Sequence, residues 1–477
     1  MTQRFLDQCR TLLGASFVLT DAADIAMHLM DHRQRFAGNG LAVLKPADTA
    51  EVAAIVRLCA EFRIPIVPQG GNTGLVLGSV PDQSGSAIVL SLVRLNHIRG
   101  IDVINNTMTV EAGCLLQNVQ EAANQANRLF PLSLASEGSC TIGGNLSTNA
   151  GGTAVLHYGT TRALCLGLEV VTAQGDIWHG LRGLRKDNTG YDLRDLYIGS
   201  EGTLGVITAA VLTLFPKPVS QLTAFAAVAS IDHALTLLTL ARSASNNAEL
   251  TGFELMSAFS LELVERHFPS STMPLRHSNS ASAPYFVLIE FSSQETIADS
   301  ATALENWMAT ALEQGVIQDA VVATSIAQTQ TLWHLRESIS PAQAAEGKNI
   351  KHDISIPISV IGTFIAHTDH ALQRHFPGCR MVTFGHVGDG NLHYNVSPPQ
   401  DQPSDAFLAQ QSAINRVVYD SVSQFNGSIS AEHGLGALKI DEITHYKSVI
   451  ELNLMRTIKT ALDPLNIMNP GKVIRAS

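Results

Sequence analysis

The texture of apolar and polar positions changes once along the chain, near Phe215. Ahead of that point, the first forty residues mix charged and apolar side chains and predict helix. From Leu41 the order becomes strand, helix, strand. Leu41–Leu44 is a short apolar run, Asp48 with Glu51 three residues later reads as a helix cap, and Val52, Ile55, Val56 and Cys59 follow at helical spacing. Ile64–Val67 predicts the next strand, which runs into Gln69-Gly-Gly-Asn-Thr-Gly74. A region rich in Val, Ile and Gly continues to Phe215, where Pro216-Lys-Pro218 stops regular structure.

Beyond the prolines, Leu222–Val228 and Tyr285–Phe291 predict strands, and Ala234–Arg242 and Ala301–Gln314 predict helices. Ser270–Pro284, rich in Ser, Pro and Ala, predicts a surface loop. After Pro398-Pro399 one helix is expected over Phe407–Phe425, leading into Ser428-Ile-Ser-Ala-Glu-His-Gly434, and the tail carries Asn469-Pro-Gly-Lys-Val473. No repeat of fixed period is visible. Periodicity alone therefore predicts an α+β protein of two domains.

At 477 residues the chain is too long for one hydrophobic core. Its net charge of −11, without any run of Lys and Arg, argues against nucleic acid as a partner. An anionic substrate would need a local basic pocket, because the overall field repels it. The six cysteines form no C-x-x-C pair, so a thiolate zinc site or an iron–sulfur cluster is not expected, and a reduced, cytoplasmic setting is. The opening residues lack the basic-then-apolar order of a signal peptide, and no apolar run reaches the roughly 18 residues of a membrane span.

The 36 glycines cluster. Pro68-Gln-Gly-Gly-Asn-Thr-Gly74 follows a strand, and its consecutive glycines let backbone N–H groups converge on phosphate oxygens. Glu137-Gly-Ser-Cys-Thr-Ile-Gly-Gly-Asn-Leu-Ser-Thr-Asn-Ala-Gly-Gly152 has the small residues and hydroxyls to wrap a pyrophosphate, and Gly199-Ser-Glu-Gly-Thr-Leu-Gly205 is a third such segment. None is a G-x-G-x-x-G fingerprint or a P-loop. One such segment is more often a tight turn; three within one domain point to a nucleotide.

These segments, with Lys186-Asp-Asn-Thr-Gly-Tyr-Asp-Leu193, resemble the FAD-binding domain of the vanillyl-alcohol oxidase and p-cresol methylhydroxylase superfamily over roughly Leu41 to Pro218. The resemblance implies FAD contacts from Pro68, Gly70, Gly71, Asn72, Thr73, Gly74 and Leu75 in the first loop. From the second it implies Ser139, Thr141, Gly143, Gly144, Asn145, Thr148, Asn149, Gly151 and Gly152, with Glu201, Gly202, Ile207 and Asn469 nearby. Some members tether the flavin through His or Cys in the first loop. Gln69, Gly70 and Gly71 stand there in this chain, so noncovalent FAD is expected.

A second signal lies in Phe384-Gly-His-Val-Gly-Asp-Gly-Asn-Leu-His-Tyr-Asn-Val396. Asp389-Gly390 predicts a two-residue hairpin turn. With that turn at the tip, His386 and His393 face each other with Cβ atoms about 4.5–5.5 Å apart, and Asn395 shares the face of His393. A single His is more often an ordinary half-buried strand residue; a facing pair suits a shared ion. Glu432 in Ser430-Ala-Glu-His-Gly-Leu-Gly436 is the candidate third ligand. Two His and a carboxylate suit Zn²⁺, and also Mn²⁺ or Fe²⁺.

This hairpin, Ala431-Glu-His-Gly-Leu-Gly436 and Phe253-Glu-Leu-Met-Ser257 resemble the D-lactate, glycolate and D-2-hydroxyglutarate dehydrogenase branch of the superfamily, extending the likeness over nearly the whole chain. The resemblance implies His386, His393 and Glu432 as zinc ligands and His433 as the base. It also implies carboxylate binding by Arg336 and Lys351, and substrate contact by Asn395 and Ser340. Ser340 lies four residues from Arg336, on the same face of one expected helix. Two departures from the branch, Ser340 where Thr is expected and His352 where an aromatic is usual, bear on the far end of the pocket.

The expected organisation is an N-terminal helical segment (1–40), a two-subdomain FAD-binding domain (41–218), an α+β substrate or cap domain with the metal-binding hairpin (219–425), and a C-terminal segment (426–477) that completes the active site and packs back on the FAD domain. The expected activity is oxidation of a D-2-hydroxy acid, D-2-hydroxyglutarate first and D-lactate or glycolate second. An electron-transfer flavoprotein or a quinone-linked carrier is the expected acceptor, and a homodimer the expected assembly. Two readings of other kinds are a metal-dependent hydrolase, which leaves the glycine-rich segments without a use, and a non-catalytic flavin-carrying subunit, which leaves His386, His393, Glu432 and His433 without one.

Overall fold

In the structure, a computed structural model, residues 1–243, 248–271, 273–275 and 283–475 are described, so the predicted loop Ser270–Pro284 lies in large part outside them. Contacts divide the chain into two units. The first comprises Met1–Gly151, Gly159–Lys217 and Glu432–Ser477, and the second Gly152–Tyr158 and Pro218–Ala431.

Besides a small sheet of Phe215–Pro216 and Arg128–Leu129, the first unit is built on two larger sheets. In one, Ala42–Leu44 and Ile66–Gln69 run parallel to Ile88–Ser91, with Val18–Leu19 added antiparallel at the edge. That edge strand, with the helices Thr2–Leu13 and Ala22–Leu29 on either side, corrects the all-helical expectation for the first forty residues. Between the parallel strands runs the helix Thr49–Phe62. Asp48 accepts the N–H of Glu51 at 2.8 Å, satisfying one of the amides a helix start leaves without partners, and the Glu51 carboxylate accepts the N–H of Ala47, just ahead of the helix, at 2.6 Å. Its stripe Val52, Ile55, Val56 and Cys59 is buried against Leu44, Ile66, Ile88 and Leu90. Arg63 ends it in the left-handed region at φ 57°, which moves the next strand to Ile66–Gln69, two residues beyond the sequence expectation.

The other sheet is antiparallel, in the order Ile98–Asp102, Thr107–Glu111, Gly205–Thr213, Cys165–Thr172, Ile177–Gly180. Its middle strand, Gly205–Thr213, is buried along its whole length. The C-terminal residues belong to this unit's core: Ile467 and Met468 pack with the parallel sheet, and Ile66 exchanges backbone hydrogen bonds with Ile467 and Asn469. Lys459, buried, ties the last helix (Val449–Leu462) down by donating to the carbonyls of Thr203 and Met468 and pairing with Asp463.

The second unit is a seven-stranded antiparallel sheet in the order Asp319–Val322, Ser220–Val228, Tyr285–Ser293, Ala248–Ser257, Arg380–Gly385, Asn391–Ser397, Asp353–Ser355. Met256, Val382 and Phe384 on one face pack against Leu332, Leu335, Ile339 and Ala342, carried by the helices Ile326–Glu337 and Ile339–Glu346. The single helix expected over Phe407–Phe425 is two, Ser404–Leu408 and Gln411–Gln424. No helix among the described residues is long and apolar enough to cross a membrane.

Candidate active site

In the first unit the glycine-rich segments converge on one cleft of about 360 Å³, within the roughly 300–1,000 Å³ usual for small-molecule and cofactor sites. Pro68, Gly70, Gly71, Asn72, Thr73, Gly74 and Leu75 line it, with Thr141, Gly143, Gly144, Asn145, Thr148, Glu201, Gly202 and Ile207. The packing shows why glycine stands at two of these positions. A Cβ on Gly70 would lie 2.1 Å from Thr141 Oγ1, and one on Gly71 would lie 1.8 Å from the Ser139 carbonyl oxygen. Thr141 Oγ1 is buried and has no hydrogen-bond partner among the described residues. A backbone cradle with an orphaned hydroxyl on its wall fits a pyrophosphate, whose oxygens supply the acceptors such groups lack.

Five of the expected FAD contacts are not on the cleft wall. Ser139 backs the wall through its carbonyl, as above. Asn149 caps the helix Ile142–Thr148 in the left-handed region and accepts the N–H of Arg162 at 2.9 Å. Gly151 ends a segment of the first unit, and Gly152 belongs to the second. Asn469 is buried, and its amide donates to the carbonyls of Gly78 and Glu201, both at 2.8 Å. Its amide oxygen is buried and has no hydrogen-bond partner among the described residues. The wall also includes His32 and Leu134-Ala-Ser136. Adjacency to the second glycine segment could have flagged Leu134–Ser136; His32 gave no signal.

Glu432 and His433 line the same cleft. Glu201 fixes them there. Its carboxylate accepts the N–H groups of Leu435 and Gly436, each at 2.8 Å, and Val76 accepts the N–H of Ala437 at 2.9 Å. Gly434 and Gly436 have φ of +80° and +49°, and a Cβ on Gly436 would lie 2.0 Å from the Val76 carbonyl oxygen, so the turn after His433 requires glycine. Burial pushes the Glu201 carboxyl up, against the pull of the two N–H groups and of Lys439 and Lys472.

In the second unit three of the remaining candidates, His393, Asn395 and Lys351, share one sheet face. Met256, Phe384, His393 and Asp353 are successive Cα partners across four strands. Side chains alternate along a strand, so Glu254 and Asn395 join that face. The Ile350–Val396 bridge continues the register and sets Lys351, which is exposed, opposite Asn395.

The hairpin differs from expectation. His393 pairs with Phe384, and the strands are joined by the longer loop His386–Gly390, whose Asp389 accepts the N–H of Asn391. His386 sits in that loop, outside the ladder. Even so, the two imidazoles meet, with ring centroids 5.6 Å apart and planes at 78°.

Glu254, fully buried, organises this face. Its Oε1 faces His386 Nδ1 at 2.5 Å and its Oε2 accepts from Arg336 Nε at 2.8 Å. Burial alone would raise the carboxyl, but the His386 and Arg336 charges overcome it and hold Glu254 down at about 2. The Arg336 guanidinium lies over the Phe384 ring at 4.8 Å. A carboxylate only accepts, so Nδ1 carries a proton, and when the ring is neutral Nε2 is the nitrogen with a lone pair for a metal. Two imidazoles, one with its tautomer set by a carboxylate, are a donor set suited to Zn²⁺. Thiolates offer no competing set, because all six cysteines are buried and burial pushes Cys9, Cys114 and Cys379 up to about 11.

Three substrate expectations are modified. The helix carrying Arg336 breaks at Ser338, so Ser340 opens a second helix and is exposed whereas Arg336 is buried. Asn395 is engaged on both sides of its amide, accepting from the His352 N–H at 3.1 Å and donating to Gln343 at 3.0 Å. His352 lies on the opposite sheet face from Lys351. Its ring is held between the Tyr394 carbonyl and Asn415 and packs on Tyr419, so it does not shape the Lys351 face. The chain leaves this unit at Ala431, whose N–H is accepted by Asp353, the register partner of His393, at 3.2 Å.

Comparison with known proteins agrees with these features. Residues 40–180 match the family described as FAD binding domain, and residues 217–473 the family described as FAD linked oxidases, C-terminal domain. The chain is 38% identical over 470 residues to a probable mitochondrial D-2-hydroxyglutarate dehydrogenase of Oryza sativa subsp. indica, covering 98% of this chain and 81% of that protein. It is 37% identical over 454 residues to the D-2-hydroxyglutarate dehydrogenase of Xanthomonas citri pv. viticola, covering 95% and 93%. Among solved structures, p-cresol methylhydroxylase with substrate bound superposes with a TM-score of 0.75 at 18% identity, over 98% of this chain and 96% of that one. An alkyldihydroxyacetonephosphate synthase superposes with a TM-score of 0.74 at 15% identity, over 98% and 84%. The fold is thus the α+β, p-cresol methylhydroxylase type, and the chain belongs to the FAD-linked oxidase family, as one of its FAD-dependent dehydrogenases.

Proposed function

We propose that this protein oxidises a D-2-hydroxy acid to the 2-oxo acid, with D-2-hydroxyglutarate as its substrate, using noncovalent FAD and one divalent metal, Zn²⁺. The observation that carries the proposal is the sheet face of Glu254, His393 and Lys351, with Arg336 from a helix and His386 from a loop held on Glu254: two cationic groups and an imidazole pair in a chain whose overall charge is −11. A dicarboxylate needs two cations, and the names of the relatives agree with that substrate.

When bound, FAD supplies the acceptor for the hydride from C2, and the metal supplies Lewis acidity toward the 2-hydroxyl. His386 and His393 hold the metal, with Glu432 assigned as third ligand by the family resemblance. His433 takes the hydroxyl proton, the general-base role that the family resemblance assigns to it. Arg336 receives one carboxylate on its Nη edge as a fork, and Lys351 meets the other as a point charge. Ser340 and Asn395 complete the substrate surroundings. Gly70, Gly71 and Thr141 seat the pyrophosphate. The electron acceptor is proposed to be an electron-transfer flavoprotein or a quinone-linked carrier, and the assembly a homodimer.

Anaerobic mixing of the FAD- and zinc-loaded protein with D-2-hydroxyglutarate, D-lactate and glycolate in turn tests this. Rapid bleaching of the visible flavin bands by D-2-hydroxyglutarate, and slow or no bleaching by the other two, is expected. Bleaching by D-lactate or glycolate alone would discard the dicarboxylate assignment, and bleaching by none would discard the substrate class.

A further inference from the structure

Glu254 is the point where two functional groups of the second unit meet. Its partners come from far along the chain, Arg336 at 82 residues and His386 at 132 residues, and each takes a different carboxylate oxygen. A fully buried carboxylate is costly to keep, and a core that needed only filling would be served as well by a hydrophobe of the same size. Its use therefore has to be sought in what it holds.

On the histidine side, an acceptor at Nδ1 selects one tautomer and one ring orientation, and so settles which nitrogen presents its lone pair to a metal. On the arginine side, the bond is made to Nε. That leaves the Nη1–Nη2 edge, for which no partner is present among the described residues, as the edge of a guanidinium already fixed in plane over Phe384. A guanidinium held this way needs little ordering to form a bidentate pair with a carboxylate.

We propose that Glu254 is a positioning residue for both halves of substrate capture: it sets the His386 tautomer for metal binding and orients the Arg336 fork for the substrate carboxylate. This role rests on the metal-assisted reading above. Glutamine cannot replace it, because a single carbonyl oxygen accepts from one of the two donors while the amide nitrogen opposes the other.

The test uses the flavin-loaded full chain, stripped of metal by a chelator and titrated with Zn²⁺ against an indicator dye. Wild type takes up one equivalent. Glu254→Gln should bind Zn²⁺ about 10–100-fold more weakly, the usual effect of removing a partner behind a metal-bound histidine, at an unchanged flavin-to-protein ratio. Its KM should rise as well, for D-2-hydroxyglutarate and D-lactate alike, because the carboxylate assigned to Arg336 is the one the two substrates share. Equal zinc affinity in wild type and variant overturns the inference and leaves the proposed function standing. A wild type that takes up no zinc overturns both. Should Glu254→Gln fail to fold, long-range ¹H–¹⁵N spectra of the ¹⁵N-histidine-labelled, zinc-loaded wild type decide: a proton on His386 Nδ1 is expected, and a proton on Nε2 overturns the role.

Discussion

Glu201 and Leu435 stand 234 residues apart in sequence and 2.8 Å apart in space, carboxylate oxygen to backbone N–H. With the companion bond to Gly436, the Gly199–Gly205 segment thereby serves a purpose beyond the flavin: it clamps the turn that follows His433. Glu201→Gln keeps the shape but offers one acceptor where two N–H groups converge. One buried N–H then loses a charge-assisted partner, a cost of about 2 kcal/mol. The melting temperature should fall, and kcat should fall about tenfold or more as His433 loses its fixed position. A variant that melts lower but turns over at the wild-type rate would show that the clamp stabilises the fold without placing the histidine.

The Gly70–Gly71 pair makes a sharper steric prediction. A Cβ on Gly71 has no room beside the Ser139 carbonyl oxygen, and backbone cannot yield as a flexible side chain can. Gly71→Ala should push the first two glycine-rich segments apart and abolish tight FAD binding. The purified variant should be colourless and should stay so after incubation with excess FAD. A yellow variant with wild-type absorbance per chain would show that the cradle is not the flavin's seat.

What the sequence made legible, and what it hid, divides along local and distant interactions. The cap at Asp48 depends on neighbours a few residues apart and stands in the structure as expected, and the strand ahead of the first glycine-rich loop is present but shifted to Ile66–Gln69. The hairpin register did not follow from its Asp389-Gly390 signal. Asp389 uses its carboxylate to cap Asn391, and the loop extends back to His386, which leaves the ladder. The imidazoles still meet because the loop returns His386 over the same sheet face. Glu254 was visible only as a fragment of a family-like motif, since both of its partners are long-range. Asn469, in a conspicuous motif, donates its amide to Gly78 and Glu201, long-range contacts that no local pattern announces. Surface against interior was likewise undecidable for His352 until strand alternation was fixed by the pairing of its neighbours.

The dicarboxylate assignment turns on Lys351, which is exposed at the continuation of the Asn395 register. Removing a cation that meets only the distal carboxylate should affect only substrates that possess one. Lys351→Ala should raise KM for D-2-hydroxyglutarate about tenfold or more, in line with a charge-assisted contact of roughly 1.5–3 kcal/mol. Oxidation of D-lactate should change by less than about twofold, since the loss is confined to that contact. Equal losses on both substrates would move Lys351 from the distal carboxylate to the reacting end.

Lys472, in the Asn469-Pro-Gly-Lys tail, gives the protein a distinctive alkaline behaviour. It is buried, and its Nζ donates to the Val80 carbonyl at 2.9 Å. Burial lowers it from 10.5 to about 8, against the attraction of Asp82 and Glu201. Below about 8 the lysine is charged in both folded and unfolded chains, and the folded state bears the full cost of the buried charge. Between about 8 and 10.5 the unfolded chain binds more protons, so this group makes stability rise with pH. The total gain is on the order of 3 kcal/mol. Other buried acids titrate in the same range with the opposite sign, so the difference from Lys472→Met is the quantity to follow. Urea unfolding at pH 7, 9 and 10.5 should show wild type gaining on the variant at each step. Parallel curves for the two proteins would mean that Lys472 keeps an ordinary affinity for its proton in the fold.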